Sequence, residues 1–346
     1  MPKRRRRLTK APPNLAAIVL AGGEGKRMRS RTAKVLHPVG GRPMIDHVLA
    51  TLEELNVGRV VLITGHGADQ VERHVGPRAE CVLQKKPLGT GHAVLQARPR
   101  LARFDGWVIV ASGDSPLWRA ETLRGAIAQA REHKLGGLVL TTRVEDPTGY
   151  GRVIRGHGAE VMKIVEEGDA SEDEKLVREI NGGAYCFRAR PLFEALPEVK
   201  NDNAQGEYYL TDVIEILIRH GHRVQAHLAD DADEALGVNS RADLAVAEAA
   251  LQRRLLRRLM EGGVTIVDPR TTWVEADVTV GRDTVLYPLT ILRGRTRVAE
   301  DCRIGPSAEV IDAEIGPGAV VRHSVVEGGV VAPGERVGPF KSRRRD

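Results

Sequence analysis

Apolar residues in the first two thirds of the chain come in short runs that alternate with helix-spaced patterns. Residues 16–20, 60–64 and 107–112 are rich in Val and Ile, and such runs predict buried strands. Amphipathic spacing predicts helices at residues 44–55, 91–102 and 120–133. Because strands and helices alternate, we predict an α/β domain with a mostly parallel, Rossmann-like sheet covered by helices on both faces.

The pattern changes after a long helical stretch at residues 242–260. Beyond residue 264 the aliphatic residues recur at every sixth position, and after a shift in register Val325, Val331 and Val337 resume the series. A period of six is typical of a parallel β-helix, whereas a β-meander would show turns about every 8–12 residues. We therefore predict a short β-helix of about four coils. The first members of the series are Val280, Leu286, Leu292, Val298, Ile304 and Val310.

These patterns divide the chain into five segments. Residues 1–13 form a basic tail, residues 14–241 the α/β domain and residues 242–262 a linker helix. Residues 263–340 form the β-helix, and residues 341–346 form a second basic tail. Both tails are expected to be disordered and solvated, although their arginines also suit RNA or acidic lipid head groups.

Composition narrows the class of protein. The 346 residues are 42% hydrophobic and 28% charged, enough for two domains with cores, and most of the net charge of +6 lies in the tails. Aromatic residues are scarce at 3%, so nucleic-acid binding by stacking is not expected, and no apolar run is long enough to span a membrane. The three scattered cysteines, Cys81, Cys186 and Cys302, argue against disulfides or zinc and favour a cytoplasmic location.

A glycine-rich loop at residues 21–25 follows the first predicted strand. A dinucleotide fingerprint requires a small residue where Met28 stands, and a P-loop requires Ser or Thr where Arg27 stands, so neither motif fits. What remains is a turn whose backbone N–H groups can approach a phosphate or a base, with Arg27 and Lys34 nearby to neutralise anionic oxygens. A basic surface loop is the alternative interpretation.

Further polar residues stand at predicted strand ends and turns. Asp114 follows the strand at 107–112, where its carboxylate suits either Mg²⁺ or a helix N-cap. Gln84 ends another strand, and Gly89 and Thr90 open a helix whose free N–H groups face the strand ends. Three more residues suit either sugar hydroxyls or the capping of turns: Gly151, Glu166 and Asn181.

Taken together and in order, these motifs resemble a known family. The matching stretches, all within residues 18–241, are LAGGEGKRM, KVLHPVGGRPM, VLQKKPLGTGHA, SGDSPL, DPTGYGRVI, IVEEGDAS, EIN, NAQGEYYLTD and GVNSR. They resemble the uridylyltransferase domain of the bacterial N-acetylglucosamine-1-phosphate uridyltransferases, which are usually fused to a glucosamine-1-phosphate acetyltransferase. The hexapeptide region resembles the start of that second, left-handed β-helical domain.

The resemblance implies transfer of UMP from UTP to N-acetylglucosamine-1-phosphate, a step towards peptidoglycan precursors, with Mg²⁺ as cofactor. It implies Arg27 and Lys34 as catalytic residues that bind the triphosphate, and Asp114 and Asn239 as metal ligands. It also implies association of copies through the β-helix, with a trimer suspected. The residues implied to bind sugar are Gly151, Glu166, Asn181 and Asn239. Those implied to bind the nucleotide are Leu20, Ala21, Gly22, Gly23, Gln84, Gly89, Thr90, Ser112 and Gly113.

The chain departs from the family pattern at several points. Lys26 replaces a small hydroxyl residue, Ala33 replaces a proline, and Gly182 replaces a threonine. We expect these changes to alter nucleotide affinity, to loosen the loop of Lys34 and to alter sugar preference, respectively. The family's β-helix continues for many more coils with the acetyl-CoA site and a catalytic histidine, so acetyltransferase activity is not expected here.

Two other functions remain compatible with these residues. One is a nucleotidyltransferase of the same fold with a different sugar or base, which Lys26 and Gly182 favour. The other is a sugar-nucleotide sensor without catalysis, against which the intact residues Arg27, Lys34 and Asp114 argue.

Overall fold

The structure is a computed structural model that describes residues 14–158 and 160–344. The predicted basic tail at residues 1–13 lies outside the described residues, as do residues 345 and 346. Within the described parts the chain forms two compact units. The first unit comprises residues 14–37 and 44–243, and the second comprises residues 38–43 and 244–344.

Strands of the first two thirds of the chain include those predicted at residues 16–20, 60–64 and 107–112. In chain order they are Leu15–Ala21 (β1), Pro38–Val39 (β2), Arg42–Pro43 (β3), Arg59–Thr64 (β4), Glu80–Leu83 (β5), Trp107–Ser112 (β6), Gly137–Arg143 (β7), Arg152–Arg155 (β8), Val161–Val165 (β9), Glu179–Arg188 (β10) and Val224–Leu228 (β11). Strands β2 and β3 form an antiparallel hairpin that belongs to the second unit.

The α-helices are, in chain order, Met44–Glu54 (α1), Ala68–Val75 (α2), Thr90–Gln96 (α3), Arg98–Leu101 (α4), Ala120–Glu132 (α5), Glu172–Lys175 (α6), Ala189–Ala195 (α7), Val213–Arg219 (α8) and Arg241–Glu261 (α9). The helix predicted at residues 91–102 is two helices, because Pro99 lacks the N–H that a continuous helix needs there. In residues 14–158 and 160–344 no helix is both long and apolar enough to traverse a bilayer.

A single mixed sheet forms the centre of the first unit. Its strand order is β11-β7-β10-β6-β1-β4-β5, and β8 and β9 extend it from β10. Strands β6, β1, β4 and β5 are parallel neighbours, as predicted, whereas β10 runs antiparallel to both β6 and β7. The predicted Rossmann-like α/β class is therefore confirmed, with an antiparallel strand inserted among the parallel ones.

Alternate residues of β1 enter hydrophobic cores on opposite faces of this sheet. Ala17 and Val19 pack in a cluster with Leu49, while Ile18 lies in a second cluster with Phe187. A strand that is buried on both faces has to be apolar throughout, which is why β1 has no polar residue. The two layers hold β1 rigidly, and its carboxyl end leads directly into the glycine-rich loop.

The second unit contains three parallel sheets of very short strands, as expected for the left-handed parallel β-helix. Their orders are β12-β15-β18-β21-β24, β13-β16-β19-β22-β25 and β14-β17-β20-β23. In chain order the strands are Thr265–Ile266 (β12), Trp273–Val274 (β13), Thr279–Val280 (β14), Val285–Leu286 (β15), Thr290–Arg293 (β16), Arg297–Val298 (β17), Arg303–Ile304 (β18), Ala308–Ile311 (β19), Glu314–Ile315 (β20), Val320–Val321 (β21), Val325–Glu327 (β22), Val330–Val331 (β23), Arg336–Val337 (β24) and Ser342–Arg344 (β25).

The aliphatic residues predicted to point inward do so, with one correction. Leu286, Ile304 and Val310 are fully buried, but in the later coils the buried residue is Val326 and not the predicted Val325. The sixfold spacing shortens to five on either side of Val326, and its side chain is the one that reaches the core.

The basic segment predicted as a disordered tail at residues 341–346 is in part a strand. Ser342–Arg344 (β25) pairs in parallel with Val325–Glu327 (β22) and so adds one more strand to the β-helix. Arg343 forms an ion pair with Glu335 at 2.7 Å, and Arg344 forms one with Glu327 at 3.1 Å. Their charges therefore face acidic side chains of the preceding coil, so this arginine-rich segment lies on the β-helix.

Candidate active site

The glycine-rich loop at the carboxyl end of β1 is tightly folded against its neighbours. A Cβ on Gly25 would lie 2.9 Å from Lys34 Cβ, and Gly25 has a left-handed backbone with φ of 64°. Its carbonyl accepts the N–H of Met28 at 2.8 Å in a short 3-10 turn, Lys26–Met28. Met28 is buried beneath the loop. This explains why a bulky residue stands where dinucleotide-binding loops need a small one.

A cavity of about 620 Å³ opens over this loop and the ends of the central strands. Most of the predicted nucleotide, catalytic and metal residues line it; they are Leu20, Gly22, Gly23, Arg27, Lys34, Gln84, Gly89, Thr90, Ser112, Asp114 and Asn239. The sequence did not single out Glu24, Ile63, Pro87, Ala93 and Glu207, which also line it. Ala21 and Gly113 are buried behind the lining, where the Gly113 N–H donates to the carbonyl of Leu20 at 2.8 Å.

Three predicted residues converge on one point of this cavity. The Lys34 ammonium forms an ion pair with the Asp114 carboxylate and donates to Asn239 Oδ1 at 3.1 Å. The side chains of Lys34 and Asp114 are only 11% and 20% exposed. The backbone joins the same group, because the Val238 N–H donates to the carbonyl of Asp114 at 2.9 Å. Residues that are far apart in sequence thus bring two oxygen-bearing side chains and one cation together.

Two of the departures from the family pattern are accommodated locally. Lys26 is exposed and forms an ion pair with Glu24 at 3.2 Å, which offsets its added charge. The Ala33 N–H donates to Gln70 Oε1 at 3.1 Å, a hydrogen bond that a proline could not make. The segment before Lys34 is therefore tied to α2, which acts against the loosening expected from Ala33.

Gln84 and Thr90 are fixed by hydrogen bonds at one side of the cavity. The amide nitrogen of Gln84 lies 3.2 Å from the Gly89 carbonyl and 2.8 Å from His92 Nδ1. Thr90 Oγ1 accepts the Leu210 N–H at 2.9 Å. Gly89 has a φ of 108°, and a Cβ there would lie 2.6 Å from the Tyr208 carbonyl, so this turn needs glycine.

Neither histidine near the site is suited to act as a base. Burial lowers the pKa of His92, which hydrogen-bonds to Gln84 and Gln96. Burial and then the charge of Arg241 lower the pKa of His37, whose Nδ1 lies 3.4 Å from that guanidinium. A lowered pKa makes each imidazole a weaker base, and neither histidine lines the 620 Å³ cavity.

The predicted sugar-binding residues Gly151, Glu166 and Asn181 form a second group. The Asn181 N–H donates to the Gly151 carbonyl at 2.8 Å, and a Cβ on Gly151 would lie 3.2 Å from Glu166 Oε2. Glu166 accepts from Thr211 Oγ1 at 3.1 Å, while burial raises its pKa above the ordinary value. Asn181 Nδ2 donates to Tyr185 Oη at 2.7 Å. The three residues are in contact, but they do not line the 620 Å³ cavity.

An ion pair that the sequence did not reveal fixes the loop before Gly151. Arg152 is buried, and its guanidinium forms an ion pair with Glu167 at 2.7 Å. The same carboxylate accepts the Gly149 N–H at 3.1 Å. Arg152 begins β8 and Glu167 follows the end of β9, and the two residues lie in different motifs. The sequence around each residue therefore does not indicate that they pair.

The structure also explains the glycine at position 182. A Cβ there would lie 2.6 Å from Trp118 Cζ2 and 2.9 Å from the Leu140 carbonyl oxygen. The indole of Trp118 occupies the space of a side chain at this position. Gly182 lies in an irregularity of β10 between Asn181 and Ala184, beside the proposed sugar-binding Asn181.

The oxygen donors of Asp114 and Asn239 fit a magnesium ion. Mg²⁺ prefers oxygen ligands and is held by one or two protein groups together with water and substrate phosphates. The structure gathers these two oxygens on one cation, the Lys34 ammonium. In the described part of the chain there is no group of three or more His, Cys, Asp or Glu residues suited to a metal ion. These residues therefore do not form a metal site that is complete without water or substrate.

Comparison with known proteins identifies the family. The profile of the MobA-like NTP transferase domain matches residues 17–224. A protein of Geobacillus thermodenitrificans named Bifunctional protein GlmU is 47% identical over 324 residues, which cover 94% of this chain and 71% of that relative. The protein of that name from Enterococcus faecalis is 46% identical over 331 residues, covering 96% and 72%. The chain therefore belongs to the GlmU family, and it is a sugar-1-phosphate uridylyltransferase built on a MobA-like NTP transferase domain.

Proposed function

We propose that the first unit transfers UMP from UTP to N-acetylglucosamine-1-phosphate, with release of pyrophosphate. The observation that supports this most is the convergence of Lys34, Asp114 and Asn239 in a cavity that Arg27 also lines. A sugar-phosphate oxygen attacks the α-phosphorus of UTP and forms the new P–O bond. The bond to the bridging oxygen breaks, and pyrophosphate leaves with its electron pair.

This chemistry requires cations and positioning, but it requires no general base. The attacking phosphate oxygen carries no proton to be removed, which agrees with the lowered basicity of His37 and His92. The obstacles are repulsion between two anions and the charge of the departing pyrophosphate. Arg27 and Lys34 are suited to offset both by electrostatic stabilisation, and the strand ends hold the reactants in line.

Asp114 and Asn239 would hold Mg²⁺. When bound there, the ion supplies positive charge to the phosphates and to the leaving group. Lys34 contributes by keeping both ligand oxygens directed to one point before the substrates arrive. Removal of divalent cation with EDTA should abolish pyrophosphate release, and addition of excess Mg²⁺ should restore it.

The nucleotide site has a basis for choosing uracil. The two side-chain contacts described for Gln84 use its amide nitrogen, so its amide oxygen is available as an acceptor. Uracil carries a hydrogen on N3 and cytosine does not, so this oxygen favours UTP over CTP. The nucleotide contacts of Gln84, residues 20–23, Gly89, Thr90, Ser112 and Gly113 all stay predictions.

Gly151, Glu166 and Asn181 are the proposed sugar-binding residues, together with Asn239. Hydrogen bonds with Thr211 and Tyr185 orient Glu166 and Asn181, respectively. Side chains that distinguish the hydroxyl groups of a sugar need such fixed orientations. The Trp118 ring beside Gly182 favours one alternative, a related transferase with another sugar. A panel of nucleoside triphosphates and sugar-1-phosphates, scored by pyrophosphate release, tests both. Binding of UTP without release for any sugar phosphate would point instead to a non-catalytic sensor.

The absence of acetyltransferase activity stays a prediction, and the name Bifunctional protein GlmU of the relatives is contrary to it. Incubation with acetyl-CoA and glucosamine-1-phosphate tests it, because acetyl transfer would release a free thiol. A cytoplasmic location also stays a prediction, with the three free thiols of Cys81, Cys186 and Cys302 compatible with reducing conditions.

Self-association through the β-helix, with three copies as the suspected number, is likewise a proposal. Its outer surface carries partly exposed apolar residues, among them Trp273, Leu289, Ile291 and Phe340. Such residues on a regular surface favour another copy of this β-helix as the occupant. Light scattering should show an oligomer for the parent protein and a smaller mass for Ile291→Glu.

A further inference from the structure

A fully buried carboxylate lies in the first unit outside the cavity. Glu234 is 0% exposed and stands in a short 3-10 turn, Ala232–Ala235. Its oxygens accept hydrogen bonds from the Arg119 backbone N–H at 2.9 Å, from Arg119 Nε at 2.8 Å and from Thr122 Oγ1 at 2.9 Å. The Arg119 guanidinium also forms an ion pair with it at 2.6 Å. Four donor atoms at the start of α5 thus contact this carboxylate, three at Oε1 and one at Oε2.

The two residues of this ion pair are each five positions in sequence from a proposed metal ligand. Arg119 follows Asp114 by five residues, and Glu234 precedes Asn239 by five residues. The two segments meet a second time where the Val238 N–H donates to the Asp114 carbonyl at 2.9 Å. The chain from 114 to 119 and the chain from 234 to 239 are therefore fastened together at both ends.

The pair is built to resist separation. A buried carboxylate is costly without partners, so Glu234 strongly favours the arrangement in which Arg119 and Thr122 contact it. The hydrogen bond to Glu234 raises the pKa of Arg119 above its ordinary value, so the guanidinium keeps its charge. Beyond Asn239, the Asp243 carboxylate accepts the Asn239 N–H at 2.9 Å. Asn239 is thus held on both sides.

We propose that Glu234 and Arg119 are positioning residues that set the separation of Asp114 and Asn239, and thereby the affinity of the site for a divalent cation. This rests on the proposed role of Asp114 and Asn239 as metal ligands. Neither Glu234 nor Arg119 lines the cavity, so they act through the backbone segments that they fasten.

The chain contains a matched ion pair that serves as a control. Glu179 is also buried, accepts from Arg155 Nε at 3.0 Å and accepts from Thr141 Oγ1 at 2.6 Å. It therefore has the same kinds of partner as Glu234. It lies on β10 and is on neither segment that carries Asp114 or Asn239.

The test is binding of Mn²⁺ in the presence of UTP without sugar phosphate, measured from the signal of free Mn²⁺ in electron paramagnetic resonance. We expect Glu234→Gln to weaken Mn²⁺ binding about 10- to 100-fold, the usual effect of removing a group that orients metal ligands. Glu179→Gln should leave it within about twofold of the parent value, because Glu179 fastens neither segment that carries a proposed metal ligand. Thr122→Ala, which keeps both charges, should weaken binding about 3- to 10-fold through the lost hydrogen bond.

Kinetics separates positioning from a general loss of structure. Excess Mg²⁺ should restore the kcat of Glu234→Gln, whereas it should not restore Asp114→Ala. Parent-like Mn²⁺ affinity in Thr122→Ala and in folded Glu234→Gln would overturn the inference. Equal weakening by Glu179→Gln would do the same. If Asp114→Ala itself binds Mn²⁺ like the parent, the proposed metal site fails, which is a distinguishable result.

Discussion

The contact between Gly182 and Trp118 gives a prediction with a defined magnitude. A Cβ at position 182 would lie 2.6 Å from Trp118 Cζ2 and 3.0 Å from Cη2, well inside the 3.4 Å of ordinary contact. It would also lie 2.9 Å from the Leu140 carbonyl oxygen, which belongs to the neighbouring strand β7 and cannot retreat. Overpacking of this kind costs about 1–3 kcal/mol, so Gly182→Ala should destabilise the protein by that amount.

Part of this cost should appear in substrate binding. Gly182 follows Asn181, whose side chain depends on the local irregularity of β10 for its bonds to Tyr185 and to the Gly183 N–H. A loss of 1.4 kcal/mol corresponds to about tenfold in affinity. We therefore expect the KM for N-acetylglucosamine-1-phosphate to rise about tenfold while the KM for UTP stays near the parent value. Pyrophosphate release with each substrate varied in turn measures both.

A double-mutant cycle identifies the cause. Trp118→Phe removes the ring atoms nearest position 182, so the double variant Trp118→Phe/Gly182→Ala should recover about 1 kcal/mol relative to the sum of the single changes. Gly58→Ala is the control, because within residues 14–158 and 160–344 its Cβ would have only the Leu15 carbonyl oxygen nearby, at 3.8 Å. Parent-like stability and KM in Gly182→Ala, or strict additivity in the cycle, would show that Trp118 does not restrict the side chain at position 182.

Three further changes have expected outcomes. Asp114→Ala should abolish pyrophosphate release while circular dichroism shows an intact fold; unchanged kinetics would exclude Asp114 as a metal ligand. Lys34→Ala should lower kcat about 10²- to 10³-fold, the usual loss when a group that stabilises transition-state charge is removed, and an unaltered kcat would exclude this role. Burial, then the charges of neighbouring carboxylates, raises the pKa of Asp212 from 3.8 to about 6. The native state therefore holds more protons than the unfolded state between about pH 4 and 6, and stability falls as pH rises through that window. Asp212→Asn should remove this fall and stabilise the protein at pH 7 by about 1 kcal/mol, after allowance for partial exposure. Urea unfolding across that range measures it, and parallel pH profiles of variant and parent would contradict it.

Much of the fold could be predicted from local patterns, because buried strands and β-helix coils each require apolar residues at particular positions. Strand β1 had to be apolar on both faces, and the inward Leu286 and Ile304 had to recur at a fixed interval. The helix break near Pro99 and the burial of Val326 in place of Val325 each depend on a single residue. A pattern that is recognised over many residues does not reveal such local departures.

Long-range pairings could not be read from the sequence in the same way. The antiparallel direction of Glu179–Arg188 (β10) is decided by the sheet it enters and not by its own residues. The contacts of Trp118 with Gly182 and of Arg119 with Glu234 join positions more than sixty residues apart. Motifs located most of the residues around the cavity. Arg119 and Glu234 lie outside every matching stretch, and the sequence gives no indication that they pair.

The hairpin formed by Pro38–Val39 (β2) and Arg42–Pro43 (β3) makes the two units inseparable by a single cut. Its Gly40 N–H donates to Glu248 at 2.7 Å, the Gly40 carbonyl accepts from Ala276 at 2.9 Å, and Arg42 pairs with Asp277. A gene shortened after codon 243 would encode this hairpin and delete all three of its partners. A transferase domain made in this way would keep residues 38–43, only a few residues beyond Lys34, without the groups that they contact. Residues 38–43 would therefore have to be redesigned before the gene is shortened.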